Sequence, residues 1–159
     1  MRISNNNKNP IYNRNINPIY NHNINPIYNH NINPIYNHNI NPIYNHNINP
    51  TYNHNINPIY NHNINPIYNH NINPSYNSNF NGLFLFDLHS GVKRYGVIYD
   101  QILLLFSENN TLINFAVKHL QNGFTIFDNA NSYIAHLESN SGNGYNYFDK
   151  TGKWTFFMT

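Results

Sequence analysis

Every proline in the chain, from Pro10 to Pro74, lies eight residues from the next, and this period constrains the fold more than any other feature. Each belongs to the unit Asn-Pro-Ile-Tyr-Asn-His-Asn-Ile, and nine tandem copies fill residues 9–80. Six copies are identical; the departures are Arg14 for His in the first, Thr51 for Ile in the sixth, and Ser75, Ser78 and Phe80 in the last. Tandem units of this kind build folds in which each copy rests on its neighbours, with atypical units at the ends. Because eight is even, an extended chain would show the same residues to the same side in every copy. Simple alternation would put Ile with three Asn on one face, and Pro, Tyr, His and Ile on the other, which does not separate apolar from polar. A corner at Asn-Pro repairs this. It turns both flanking isoleucines inward, Ile24 and Ile27 for example, and it places proline where no ladder donor is needed.

The pattern therefore predicts an all-β fold that opens with an octapeptide-repeat β-solenoid, two octads per coil. Ile lies inside, Asn sits at the corners, and Tyr (Tyr20, for instance) and His face out. The framework of that array is Pro10, Pro18, Pro26, Pro34, Pro42, Pro50, Pro58, Pro66 and Pro74. Identical residues would stack one above another as Asn and Tyr ladders, in a rod about 20 Å long at ~4.8 Å per rung. Its open strand edges would recruit further copies, so self-association is expected, up to filaments. Two other forms compete with the solenoid, a disordered Asn/Pro tail and an extended polyproline-like rod.

Charge is scarce throughout this half. No Lys or Arg falls between Arg14 and Lys93, and no acid precedes Asp87. Charged residues make up 9% of the 159 and the net charge is +2, which argues against a nucleic-acid binder. The absence of Cys removes disulfides and thiolate metal sites. The longest apolar run, Ile102–Phe106, is far short of a bilayer span. The polar stretch Met1–Asn9 is no secretory signal, so the default expectation is a cytoplasmic protein that does not engage membranes. His22, His30, His38, His46, His54, His62 and His70 recur every eight residues. In the solenoid they would form two ladders able to chelate a metal, or to repel one another once protonated. This metal- or pH-responsive reading is the alternative to a plain structural array. Arg14 and Ser78 at the same register speak against ligation, and no resident cofactor is expected.

A second period begins beyond the array. Residues 1–8 form a tail, 9–80 the array, and 81–159 a β-hairpin domain. Phe86-Asp87, Phe106-Ser107, Phe127-Asp128 and Phe148-Asp149 are spaced 20, 21 and 21 residues apart. Each pair is followed by turn residues: Ser90-Gly91, Asn109-Asn110, Asn129 to Asn131, and Thr151-Gly152. Each turn leads into a second apolar stretch, so the spacing predicts four hairpins, with one short helical turn allowed at Asn114–Gln121. Asp87, Asp128 and Asp149 would then form turns rather than act as an acid–base pair. His89, His119 and His136 make no recognisable catalytic motif, and the chain reads as a non-enzyme.

The string from Tyr145 to Trp154, with Phe148-Asp149, Gly152 and Trp154 in order, resembles the hairpin unit of bacterial WG-type repeat proteins. Phe127–Tyr133 matches in part, with Asn131 for the Gly and Tyr133 for the Trp. The layout as a whole is similar to bacterial Asn-Pro octapeptide-repeat proteins carrying such a WG-like domain. That resemblance implies a β-rich structural or binding module and carries over no catalytic residue. The nine copies of Asn-Pro-x-Tyr also resemble the turn motif read by phosphotyrosine-binding adaptors, but copies in strict register are architectural. Ice-nucleation proteins have similar sixteen-residue coils, yet their Thr-x-Thr rows are missing here, Thr51 being the array's only Thr. The expected role is a self-associating structural or interaction protein. Its C-terminal domain would cap the array or bind a protein partner.

Overall fold

The computed structural model describes residues 6–89, 91–119 and 122–159. Residues 1–5, including Arg2 of the expected tail, and Ser90, Leu120 and Gln121 lie outside the described residues.

No residue of the array is in a strand among those described. The octad is a run of tight turns. Asn-Pro opens the first, in which the Tyr20 and Asn21 N–H groups both donate to Asn17 O at 3.0 and 2.8 Å. A one-turn 3-10 helix follows in the first eight copies, from Arg14–Ile16 to His70–Ile72, and another, Asn6–Lys8, precedes them. Two asparagines per octad build this path. Asn25 accepts the Ile27 N–H at 3.0 Å and donates through Nδ2 to Pro18 O at 3.0 Å, and Asn29 does the same for the Asn31 N–H at 3.1 Å and Asn23 O at 2.7 Å. Backbone donors that a ladder would need are thus taken by side chains two residues away. The second amide bond of each asparagine ties its octad to the one before. These local bonds overturn the expected solenoid with its Asn ladders: the chain satisfies its backbone within an octad and its immediate neighbour and leaves no strand to stack.

The second half also differs from a separate set of hairpins. Among the described residues its eight strands are β1 Leu83–Asp87, β2 Gly91–Tyr99, β3 Ile102–Ser107, β4 Leu112–His119, β5 Gly123–Phe127, β6 Tyr133–Ser139, β7 Tyr145–Asp149 and β8 Trp154–Met158. Each pairs antiparallel with the next, and β8 returns to β1 through Leu85↔Met158 and Phe86↔Phe157 to close a barrel. Closure leaves none of these eight strands with an unpaired edge. The stretch allowed as a helical turn from Asn114 is strand β4 as far as His119.

The period of about 21 residues marks one β-bulge per repeat. Register shifts fall at Leu85/Phe86, Leu105/Phe106, Ile126/Phe127 and Tyr147/Phe148, so the repeated Phe is the bulge residue each time. The residue after it caps the turn. Asp87 Oδ1 accepts the His89 N–H at 2.7 Å, Asp128 Oδ1 those of Ala130 and Ser132 at 2.9 Å, and Asp149 Oδ1 those of Thr151 and Lys153 at 2.9 and 3.0 Å. Asn110, Asn131 and Gly152, three residues beyond the capping residue, have φ of 65°, 65° and 85°. That left-handed geometry is open only to Gly and a few short polar residues.

Both faces of the barrel wall are apolar. Leu85, Leu103, Leu105, Ala116, Ile126, Leu137 and Met158 point one way and form a core of their own. Their neighbours Val97, Ile102, Leu104, Phe106, Phe115 and Phe127 point the other way and pack against Ile40, Ile48, Ile56 and Ile64 of the array. The first set fills the interior of the barrel, and the second is its outer wall. The array therefore lies around the barrel instead of being capped by it. Its first turns reach the far strands, with Lys8 O accepting the Asn146 Nδ2–H at 3.2 Å, and its last octad packs Phe80 against Phe84 and Tyr95 before running into β1.

Candidate functional site

Octad geometry sorts the two isoleucines, which the sequence placed together inside. The one that closes the unit is turned to the barrel: Ile16, Ile32, Ile40, Ile48, Ile56 and Ile64 are buried, and Ile24 is half-buried. The one after proline points to solvent, because the tight Asn-Pro turn swings it outward. Ile11, Ile19, Ile27, Ile35, Ile43, Ile59 and Ile67 are 57–73% exposed, and the nine array tyrosines, Tyr20 among them, 56–68%. Eight of the nine prolines are buried and Pro74 is half-buried. All seven array histidines are on the outer face.

The histidines do not form ladders of their own. Each stacks on the tyrosine six residues later, His22 on Tyr28 through to His70 on Tyr76, with ring centroids 3.8–4.1 Å apart and planes within 14°. Arg14 keeps the same place by lying over Tyr20 at 4.6 Å, a cation–π contact. Ser78 has no further octad tyrosine to cover. The register thus asks for a flat group to stack, which explains why Arg substitutes for His in the first copy. Among the described residues no three His, Asp or Glu side chains are arranged to hold a metal ion.

One cluster of titratable groups was not legible in the sequence. Glu138 Oε1 lies 3.1 Å from His119 Nε2 and 3.0 Å from His136 Nδ1, and His119 Nδ1 is 3.1 Å from Thr125 Oγ1. All four residues are buried, on the outer side of β4, β5 and β6. The approach of His119 to Glu138 is off the angle of a hydrogen bond. Gly123 makes room for the group, since a Cβ there would collide with Leu137 O and crowd His119.

Four barrel tyrosines hold their phenolic protons tightly. Burial raises the pKa of Tyr95, whose hydroxyl donates to Asn110 Oδ1 at 2.6 Å. Burial also raises Tyr133, with Glu138 and Asp149 adding, Tyr145, and Tyr147, where Arg94 opposes the rise. The folded protein thus resists ionisation that the unfolded chain undergoes near pH 10.0. Stability should be indifferent to these groups below that pH and fall above it. A urea midpoint that drops between pH 10 and 11, after holding from pH 8 to 9.5, is the expected result; a flat midpoint to pH 11 would contradict it. Asp149 moves the other way. Partial burial pushes its pKa up, but bonds from the Thr151 hydroxyl and the Lys153 and Thr151 N–H groups outweigh that and hold it low.

A cleft of about 420 Å³ opens where octads six to eight meet the β3–β4 and β5–β6 turns. Pro50, Pro58, Phe106, Leu112 and Phe115 give it an apolar floor, and amides and hydroxyls from both halves form its rim. Thr51, the single departure within the array interior, is on that rim. Of the hairpin residues singled out in the sequence, Asp87, Asp128 and Asp149 cap turns, Gly152 supplies a left-handed residue, and Trp154 pairs with Phe148 across β7 and β8. None of these five lines the cleft. Comparison with family models, with curated proteins and with solved structures finds no match.

Proposed function

We propose that this chain is a non-enzymatic structural and interaction protein, which associates with further copies of itself through the outer face of its octad array. One observation carries the reading: seven isoleucines and nine tyrosines stand exposed at two fixed registers of the array. Monomeric proteins rarely leave so much contiguous apolar surface to water, and such surfaces mark interaction sites. No charge interrupts the array between Arg14 and the barrel. A surface of constant period is matched best by another of the same period, and a second copy supplies one. The barrel serves as the body that keeps the octads in register, and contact is made by side chains rather than by strand edges.

Sedimentation across micromolar to hundred-micromolar concentrations tests this. Wild-type protein is expected to form larger species as concentration rises, with little response to salt, because the surface is uncharged. Replacing Ile19, Ile35 and Ile67 together by Lys should return it to the monomer at an unchanged melting temperature, since all three are exposed. A wild-type chain that stays monomeric throughout would end the proposal.

A further inference from the structure

We infer that the cleft between octads six to eight and the hairpin turns of the barrel is a binding site for a neutral saccharide. Charge comes first. Among the described residues no Lys, Arg, His, Asp or Glu lines the cleft, so phosphates, carboxylates and ammonium groups would enter without a counter-ion. The rim is nevertheless rich in polar groups that the fold leaves unused. Among the described residues, the side chains of Thr51, Thr111, Asn129 and Asn131 make no hydrogen bond, and Asn110 uses only its Oδ1, which accepts from Tyr95. The array asparagines of the same rim, Asn57 and Asn65, spend both ends of their amides on the octad path. Two kinds of Asn therefore meet here, one structural and one free to bond a ligand.

The free groups are amides and hydroxyls, which donate and accept at once. Sugar hydroxyls have the same double capacity, and the C–H faces of a sugar ring suit a floor of Pro50, Pro58, Phe106, Leu112 and Phe115. A purely apolar ligand would strand the rim amides without water or partner. The cleft has the size usual for small-molecule sites, roughly 300–1,000 Å³. Thr51 supplies a separate indication. Seven octads carry Ile after proline, and the one octad between the ends that does not carries a hydroxyl, on the rim of this cleft.

Amide-resolved NMR of the full chain, titrated with maltose, cellobiose, lactose and N,N′-diacetylchitobiose, tests the assignment. At least one disaccharide should cause saturable shifts confined to residues 50–59, 106–115 and 129–131. Thr51→Ile should weaken that binding at least fivefold by filling the cleft and removing a hydroxyl. It restores the residue that seven other octads hold, so the array keeps its fold, and unmoved signals elsewhere will verify that. Asn129→Ala, at an exposed turn, should weaken binding by a comparable factor. The inference is overturned if none of the four sugars gives localised, saturable shifts, or if both variants bind as the wild type does. It is also overturned if glucuronate outcompetes glucose, or if the peptide Asn-Pro-Ile-Tyr-Asn-His-Asn-Ile occupies the cleft and the sugars do not.

Discussion

Cut between the array and β1, neither part of this protein is expected to keep its structure. A fragment of residues 81–159 would expose the outer wall of the barrel, where Tyr95, Val97, Ile102, Leu104, Phe106, Phe115, Val117 and Phe127 are each at most 7% exposed in the intact chain. At about 1.5–3 kcal/mol for each large side chain returned to water, that loss rivals the roughly 5–15 kcal/mol by which a whole domain is stable. The fragment should aggregate, or bind a hydrophobic dye strongly. A fragment of residues 1–80 should give the circular dichroism of an unordered chain, because its buried isoleucines rest on the barrel and its turns are one helical turn long. Mixing the two during refolding should recover soluble, structured complex. A soluble 81–159 fragment with a cooperative melt would show instead that the barrel stands without its collar.

The second large effect is a contrast within a single turn. Ile40 is 6% exposed and packs on the barrel, whereas Ile43, three residues later, is 58% exposed. Ile40→Ala should destabilise the protein by about 2–3 kcal/mol, the low end for a buried Ile because an irregular chain can relax toward the gap. For a chain of this size that is a fall in Tm of about 4–12 °C. Ile43→Ala should stay within about 0.5 kcal/mol of wild type, as surface substitutions do. Equal losses at the two sites, read from urea melts, would contradict the assignment of inward and outward registers. The same contrast separates folding from assembly, since Ile43 belongs to the surface proposed to meet a second copy.

The two periods were plain in the sequence, and each had a physical cause. The shorter one is a turn cassette written in asparagine: the residue before Pro and the residue after Tyr each cap a backbone N–H two positions on. A repeating unit with Ile, Tyr and no charge suggests a backbone paired with neighbouring copies. Asparagine can instead complete the backbone locally, and proline removes the donor a ladder would need. The longer period was legible because the bulge at each repeated Phe and the cap that follows need particular residues at a fixed distance. Barrel closure was less visible. Its one sequence trace is the unbroken run Ile102–Phe106, whose lack of alternation means that both faces of β3 are covered.

The candidate sites divide along the same line. That histidine and tyrosine recur every eight residues is a matter of sequence, but their partnership, six residues apart and face to face, depends on the path of the turns. Thr51 stood out as a substitution, yet nothing local ties it to Phe106 or Asn131, more than fifty residues away. The cluster of His119, Glu138 and His136 is likewise assembled by strand register across β4, β5 and β6.

By itself the sequence determined the local geometry of this protein: where each turn begins, which residue caps it, and where four strands must bulge. These depend on contacts two to four residues apart, which the chain carries wherever it goes. The mechanical role of the octads depends instead on contacts between the two halves. Half of their isoleucines needed an apolar surface, and so did the outer wall of an eight-stranded barrel. Burying one against the other satisfied both, and it left the remaining isoleucines, with the tyrosines, facing water.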